Sequence, residues 1–211
     1  MNEPLPSPTL LPRLCIFARV PRRGRVKTRL AAKLGEDAAL AAHVALVEDT
    51  LQRLGRISEA QSELWLDDEP DATCRRWAER FELPIRRQAH GDLGARMHGA
   101  LLTSLAVAPS AMVVGTDCPL IDGAYVAAAV AALSAAEVVL GPAADGGYGL
   151  VAARRPVPQL FSGIPWGSAV VLEATLAAAQ RAGIEVALLP EIWDVDTPAD
   201  WQRYLRLRGS R

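Results

Sequence analysis

The short apolar run Ala111-Met112-Val113-Val114 ends in Gly115-Thr116-Asp117-Cys118-Pro119. Such a run reads as a buried strand that presents one carboxylate at its carboxyl end, where the proline stops further pairing. In open α/β sheets ligands bind outside the carboxyl ends of the strands. Two more features match that placement. A second acidic turn, Asp194-Val195-Asp196-Thr197-Pro198, stands near the end of the chain, and a dense basic loop occupies residues 19–29. Two acidic turns and one basic loop are what a metal-assisted nucleotide site requires.

The rest of the chain supplies the sheet around that strand. Arg13–Ala18 reads as the first buried strand, followed by a loop punctuated by Pro21 and Gly24. A helical stretch over about 27–54 is broken near Gly35-Glu36-Asp37, where Asp37 is placed to cap a second helix. Strands are expected at 63–66, 83–87, 111–115, 137–141, 148–153 and 184–189. Helices are expected at 72–81 behind an Asp71 cap, from Gly91-Asp92 to about 107, behind Asp122, and from Ser168 as a cap to about 181. Thr197-Pro198-Ala199-Asp200 is a helix start in which threonine caps, proline takes the first position and the aspartate completes a capping box. Short apolar strands alternating with longer helices predict an α/β fold: a Rossmann-like, mostly parallel sheet with helices on both faces.

Length and charge narrow the class. The 211 residues suit one α/β domain over 13–211 behind a disordered N-terminal extension over 1–12, which has no basic region or apolar core of a secretory signal. A formal charge of −1 argues against a nucleic-acid partner held by a general basic surface. No apolar run reaches membrane-spanning length, so no membrane partner is expected. Cys15, Cys74 and Cys118 form no CxxC pair, which disfavours a disulfide framework or zinc site and makes a reducing cytoplasm the expected compartment.

Arg19, Arg22, Arg23, Arg25, Lys27 and Arg29 stand in the basic loop without an acid among them. A helix N-terminus already favours an anion, and these side chains would add charge-assisted contacts to phosphate oxygens. The loop is neither a Walker A nor a GxGxxG sequence, and a solvated basic turn is the competing reading. Magnesium is typically held by one or two carboxylates plus phosphates and water. Asp117 and Asp196 are the candidate ligands, with Asp194 as a third or as a supporting partner. Turn and cap chemistry is the alternative for each, although Thr197 already fills the cap role beside Asp196.

These elements in order resemble a known bacterial family. The residues that carry the likeness are Phe17-Ala18-Arg19-Val20-Pro21, Gly24-Arg25-Val26-Lys27-Thr28-Arg29-Leu30, Gly91-Asp92-Leu93-Gly94-Ala95-Arg96-Met97 and Gly115-Thr116-Asp117-Cys118-Pro119, then Gly141-Pro142-Ala143-Ala144-Asp145-Gly146-Gly147-Tyr148, Trp166 and Asp194-Val195-Asp196-Thr197-Pro198. They are similar to nucleotide-diphospho-sugar transferase-like proteins, often named as glycosyltransferases associated with radical-SAM and selenium-related domains. A more distant similarity is to molybdopterin guanylyltransferase and 2-phospholactate guanylyltransferase. The resemblance implies a glycosyltransferase-A type fold that binds a nucleotide with Mg2+ or Mn2+. Arg19 stands where that family commonly has lysine, exchanging a point charge for a planar fork.

The resemblance also brings in Asp145 as an acceptor-binding group or base, Gly94 and Arg96 beside the nucleotide, and Trp166 as a stacking candidate. An ordinary turn, an exposed helix arginine and rim packing are the respective alternatives. Trp65, Trp77, Trp193 and Trp201 are assigned to packing, Cys118 to space filling, and His43, His90 and His98 to no catalytic role. The expected function is transfer from a nucleotide-activated substrate to an unknown small-molecule acceptor. Nucleotidyl transfer from a nucleoside triphosphate and glycosyl transfer from a nucleotide sugar share this apparatus. In the first, Lys27 and Arg29 stabilise the departing pyrophosphate; in the second, the metal holds the leaving diphosphate and Asp145 serves the acceptor; Arg19 and Arg25 add to nucleotide binding. A non-catalytic nucleotide-binding regulatory module is the alternative from another class.

Overall fold

Leu14, Ile16 and Ala18 of the first strand, β1 (Arg13–Ala18), pack on one side of a sheet, and Cys15 and Phe17 pack on the other. A strand buried on both faces must be covered on both, and helices do this. The computed structural model describes residues 10–209. Of the expected 1–12 extension, residues 1–9 lie outside the described residues, Leu10 and Leu11 are exposed, and Pro12 is already buried.

The other strands are β2 (Gln61–Leu66), β3 (Ile85–Arg87), β4 (Ala111–Gly115), β5 (Val138–Pro142), β6 (Tyr148–Ala153) and β7 (Val186–Leu188). They form one seven-stranded sheet in the order β3-β2-β1-β4-β6-β5-β7. Only β6 runs antiparallel to its neighbours, β4 and β5; the remaining pairs are parallel. The helices are α1 (Thr28–Leu34), α2 (Glu36–Leu54), α3 (Ala72–Phe81), α4 (Leu93–Leu105), α5 (Gly123–Ala132), α6 (Val171–Ala182) and α7 (Pro198–Gly209).

Leu51 and Leu54 of α2, Trp77 and Phe81 of α3, and Val126 and Ala129 of α5 cover the Leu14 and Ile16 side. Met97 and Leu101 of α4 and Val171 and Ala178 of α6 cover the Cys15 and Phe17 side. Each fully buried leucine or isoleucine contributes roughly 1.5–3 kcal/mol relative to exposure. The expected mostly parallel sheet with helices on both faces is the architecture found.

Local capping chemistry sets most helix starts. Asp71, Asp92 and Asp122 accept from the backbone N–H of Cys74, Ala95 and Tyr125 at 2.9, 2.8 and 2.9 Å. The Thr197–Asp200 capping box is present in both directions, at 2.8 and 3.3 Å. Two expected caps differ. A single residue, Gly35 at φ 85, joins α1 to α2 and takes the cap position, so Asp37 falls inside the helix and accepts from Arg23 instead. Ser168 closes its own turn by donating to the Pro165 carbonyl at 2.8 Å, and α6 starts later, behind Val170.

Candidate active site

β1 is followed by β2 and β3 on one side, and the chain then returns to lay β4 on the other. The carboxyl ends of β1 and β4 therefore form the topological switch point of the sheet, where a crevice opens. A cavity of about 500 Å³ occupies it, bordered by Arg19, Lys27, Arg29, Arg96, Asp117 and Asp196.

Lys27 is the pivot of this cavity. Its ammonium donates to Asp117 Oδ2 at 2.9 Å, to the Val195 carbonyl at 2.5 Å and to Asp196 Oδ1 at 3.4 Å, with only 4% of its side chain exposed. Burial pulls its pKa down, but the adjoining Asp117 and Asp196 carboxylates more than reverse this, and the net shift is upward. The two acidic turns are also joined by backbone, since Val195 N–H donates to the Asp117 carbonyl at 3.0 Å. Arg29 reaches Asp196 Oδ2 at 2.9 Å. Asp117 and Asp196 thus converge at one end of the sheet.

The backbone of Lys27 is left-handed, at φ 47 and ψ 47, in the cap position of α1. A non-glycine residue held there costs about 1–3 kcal/mol and persists where its surroundings over-determine it. Here the three bonds to the ammonium do so.

The basic loop divides into two sets of charges. Arg22 pairs with Asp68 at 2.6 Å, and Arg23 with Asp37 at 2.7 Å and Glu36 at 3.2 Å, all on the exposed side. Arg25 is exposed and borders neither this cavity nor the second one described below; its carbonyl accepts from Arg19 Nη1 at 3.3 Å. Arg19, Lys27 and Arg29 face the cavity, as does Arg96, whose Nε donates to the Gly91 carbonyl at 3.1 Å.

Two residues missed in the sequence anchor the loop. Asp67 Oδ1 accepts from Val20 N–H at 2.8 Å, and His43 Nε2 lies 2.9 Å from the Arg19 carbonyl. A carbonyl only accepts, so the His43 proton sits on Nε2. Burial lowers the His43 pKa, in keeping with a neutral ring beside these cations. No short-range spacing signals either role, because each partner lies far away in the chain.

The expected metal ligands stand beside a cation. Among the described residues no group of three or more His, Cys, Asp or Glu side chains forms a metal cage. Asp117 and Asp196 meet through the Lys27 ammonium, because a buried cation already offsets their repulsion. The donor chemistry still fits magnesium or manganese, which needs one or two carboxylates with phosphate and water. Asp117 and Asp196 retain 43% and 34% side-chain exposure towards solvent. The Asp194 carboxyl is pushed up to about 6, first by burial and then by the charges of Asp196 and Asp145, and Lys27 offsets this only in part.

A second cavity, of about 280 Å³, adjoins the first and shares Phe17, Leu93, Gly115 and Asp117 with it. Asp145, Asp194, Tyr148 and Trp166 also border it. Asp145 Oδ1 accepts from Gly147 N–H at 2.9 Å, so it shapes its own turn as well as facing the cavity. Trp166 stacks on Phe161 with centroids 6.5 Å apart and meets Tyr148 edge-on at 6.2 Å. Gly94 borders neither cavity: a Cβ there would lie 2.6 Å from Trp166 Nε1, so the missing side chain provides the seat for the indole. The Cys118 thiol is buried, and burial followed by the nearby Asp117 charge raises its pKa.

Among solved structures, the chain is similar to a putative nucleotide-diphospho-sugar transferase from Desulfovibrio desulfuricans G20, with 30% identity, 93% of this chain and 87% of that one covered, and a TM-score of 0.84. It shares its fold with CMP:2-keto-3-deoxy-manno-octonic acid synthetase complexed with CTP, at 15% identity, 95% and 99% coverage and a TM-score of 0.61. It likewise shares its fold with the manganese complex of Rv0371c from Mycobacterium tuberculosis H37Rv, at 18% identity, 94% and 99% coverage and a TM-score of 0.56. No curated protein sequence matches it. Residues 50–168, which hold the Gly91–Met97 segment, the Asp117 turn, Asp145 and Trp166, match the family described as "Uncharacterized protein conserved in bacteria (DUF2064)", and the chain belongs to that family.

Proposed function

We propose that this protein is a divalent-metal-dependent transferase acting on a nucleotide-activated donor, with the donor phosphates in the Lys27 cavity and the acceptor in the Trp166 cavity. The observation that carries this reading is the Lys27 ammonium bonded to both acidic turns at the switch point of the sheet. The fold shared with a CTP-bound synthetase and with a manganese complex supports it.

A magnesium or manganese ion held by Asp117 and Asp196, with Asp194 alongside, would neutralise phosphate charge. Lys27, Arg29, Arg19 and Arg96, which border the same cavity, bind and orient phosphate oxygens. Lys27 is charged and fixed at the cavity edge by its bonds to Asp117, Asp196 and the Val195 carbonyl, so it acts on a leaving phosphate through its charge, and a direct bond requires it to release the long contact to Asp196.

In nucleotidyl transfer the acceptor oxygen forms a bond to the α-phosphorus and the bond to pyrophosphate breaks. Pyrophosphate keeps the bonding electrons, and the acceptor proton passes to the Asp145 carboxylate. The number of cations facing the Lys27 cavity favours this triphosphate chemistry. The placement of Asp145 at the adjoining cavity favours glycosyl transfer as a second reading, in which the acceptor attacks a sugar carbon and a nucleoside diphosphate leaves.

Thermal-shift titration of nucleoside triphosphates and nucleotide sugars, with and without magnesium or manganese, tests donor binding. Product analysis then separates the chemistries: pyrophosphate marks nucleotidyl transfer and nucleoside diphosphate marks glycosyl transfer. Metal-dependent binding without either product would indicate a regulatory module. Absence of metal-dependent nucleotide binding would overturn the proposal.

A further inference from the structure

The two adjoining cavities differ in charge: the first sets four carboxylates, Asp67, Asp92, Asp117 and Asp196, against four cations, and the second has carboxylates alone. Arg19, Lys27, Arg29 and Arg96 all border the first, whereas among the described residues no lysine, arginine or histidine borders the second. The second instead presents three carboxylates, those of Asp117, Asp145 and Asp194. Lys27, which pairs with the shared Asp117, is also bonded to Asp196 and the Val195 carbonyl.

We propose that the Trp166 cavity admits a small neutral or cationic acceptor with an apolar face and a nucleophilic hydroxyl or amine, and rejects acceptors that carry a phosphate or carboxylate there. This rests on the reading of the Lys27 cavity as the donor site. Asp117 is paired with Lys27 and Asp194 stands beside the proposed metal, so Asp145 is the carboxylate that meets an acceptor with no ion pair among the described residues. A phosphate placed against it loses water and gains repulsion, and no side chain bordering the cavity offers it a positive partner. Phe17, Met97, Tyr148, Leu150, Trp166 and Val171 provide the apolar wall. Aromatic faces suit the carbon face of a saturated ring and attract cations. At about 280 Å³ the space suits a small molecule. An acceptor that must supply a phosphate nucleophile is therefore a poor match, while an alcohol or amine fits.

Matched probe pairs test this on the full chain: myo-inositol against inositol 1-phosphate, choline against phosphocholine, and cyclohexanemethanol against cyclohexanecarboxylate. Binding is read by ligand-observed NMR, with and without magnesium and a non-hydrolysable nucleoside triphosphate. The uncharged or cationic member of at least one pair is expected to bind at least about tenfold more tightly, which corresponds to about 1.4 kcal/mol. Asp145→Lys should reverse the preference and Asp145→Asn should reduce it. Asp145 is exposed, so both variants are expected to fold. Trp166→Phe should weaken every probe that binds. Equal or tighter binding of the anionic members overturns the inference, as does failure of every neutral and cationic probe to bind. Nucleotide binding measured without any probe reports separately on the donor site, so loss of that reading is distinguishable from loss of this one.

Discussion

Lys27 and Asp117, carried by turns far apart in the chain, meet at 2.9 Å through a lysine that is almost fully buried and a carboxylate that remains partly open to solvent. The asymmetry matters chemically. The cation is held in place, whereas the carboxylate keeps a free side on which it could accept another partner. Replacing the lysine therefore separates site chemistry from backbone strain. Lys27→Gly removes the ammonium but also relieves the left-handed backbone. Its stability should fall by about 1–4 kcal/mol, because relief of strain offsets only part of the ion pairing lost with an almost fully buried lysine. Nucleotide affinity should fall by one to two decades, the worth of a charge-assisted bond of about 1.5–3 kcal/mol. Denaturant melts alongside nucleotide titration check this, and wild-type affinity in Lys27→Gly would remove Lys27 from the donor site.

Asp117→Asn keeps the size of the side chain and removes its charge. It should fold and lose metal-dependent nucleotide binding, and Asp196→Asn should do so less severely because Asp194 stands nearby. Titration of magnesium against nucleotide affinity in both variants is the measurement. Full magnesium dependence in Asp117→Asn would overturn the role given to the metal.

Gly94→Ala should reshape the Trp166 cavity while sparing the Lys27 cavity. The new Cβ would fall 2.6 Å from Trp166 Nε1, forcing the indole to move. Overpacking of this kind costs about 1–3 kcal/mol. A lowered melting temperature with unchanged nucleotide affinity is expected; a loss of nucleotide affinity as large as that of Lys27→Gly would return Gly94 to the nucleotide site.

Asp194 makes stability depend on pH. Its folded-state pKa of about 6 lies above its ordinary 3.8, owing to burial and then to Asp196 and Asp145. The protonated form is favoured in the fold, so its contribution is full below the unfolded value and disappears as pH rises through about 6. Asp194→Asn cannot ionise. It should therefore gain stability relative to wild type between pH 4 and pH 7, by about 1 kcal/mol after allowance for partial exposure. Melting curves without metal at pH 4 and pH 8 should show a larger advantage for Asp194→Asn at pH 8, by about 2–4 °C. An equal difference at both pH values would show that Asp194 is not under this strain.

Much of the framework was readable because its causes are local. The bounds of β1, β4 and β6 follow from apolar runs closed by charged, glycine or proline residues. Asp71, Asp92, Asp122 and the Thr197–Asp200 box mark helix starts through bonds spanning three residues. Even at this range Asp37 and Ser168 show the limit, since each has the right chemistry for a cap but is already engaged by another group.

By itself, then, the sequence determined the strand and helix succession, the mostly parallel sheet, and the kinds of charge that stand in its turns. Only the tertiary structure decided how those charges are paired. It buried Lys27 between Asp117 and Asp196, directed Arg22 and Arg23 into outward ion pairs, placed His43 beneath the Arg19 carbonyl and seated Trp166 on Gly94. Capping and strand alternation depend on neighbours a few residues away, which the linear order displays directly. Ion pairing, burial and the division of the crevice into one cavity bordered by paired cations and carboxylates and another bordered by carboxylates alone depend on distances between segments that only the packed sheet brings together.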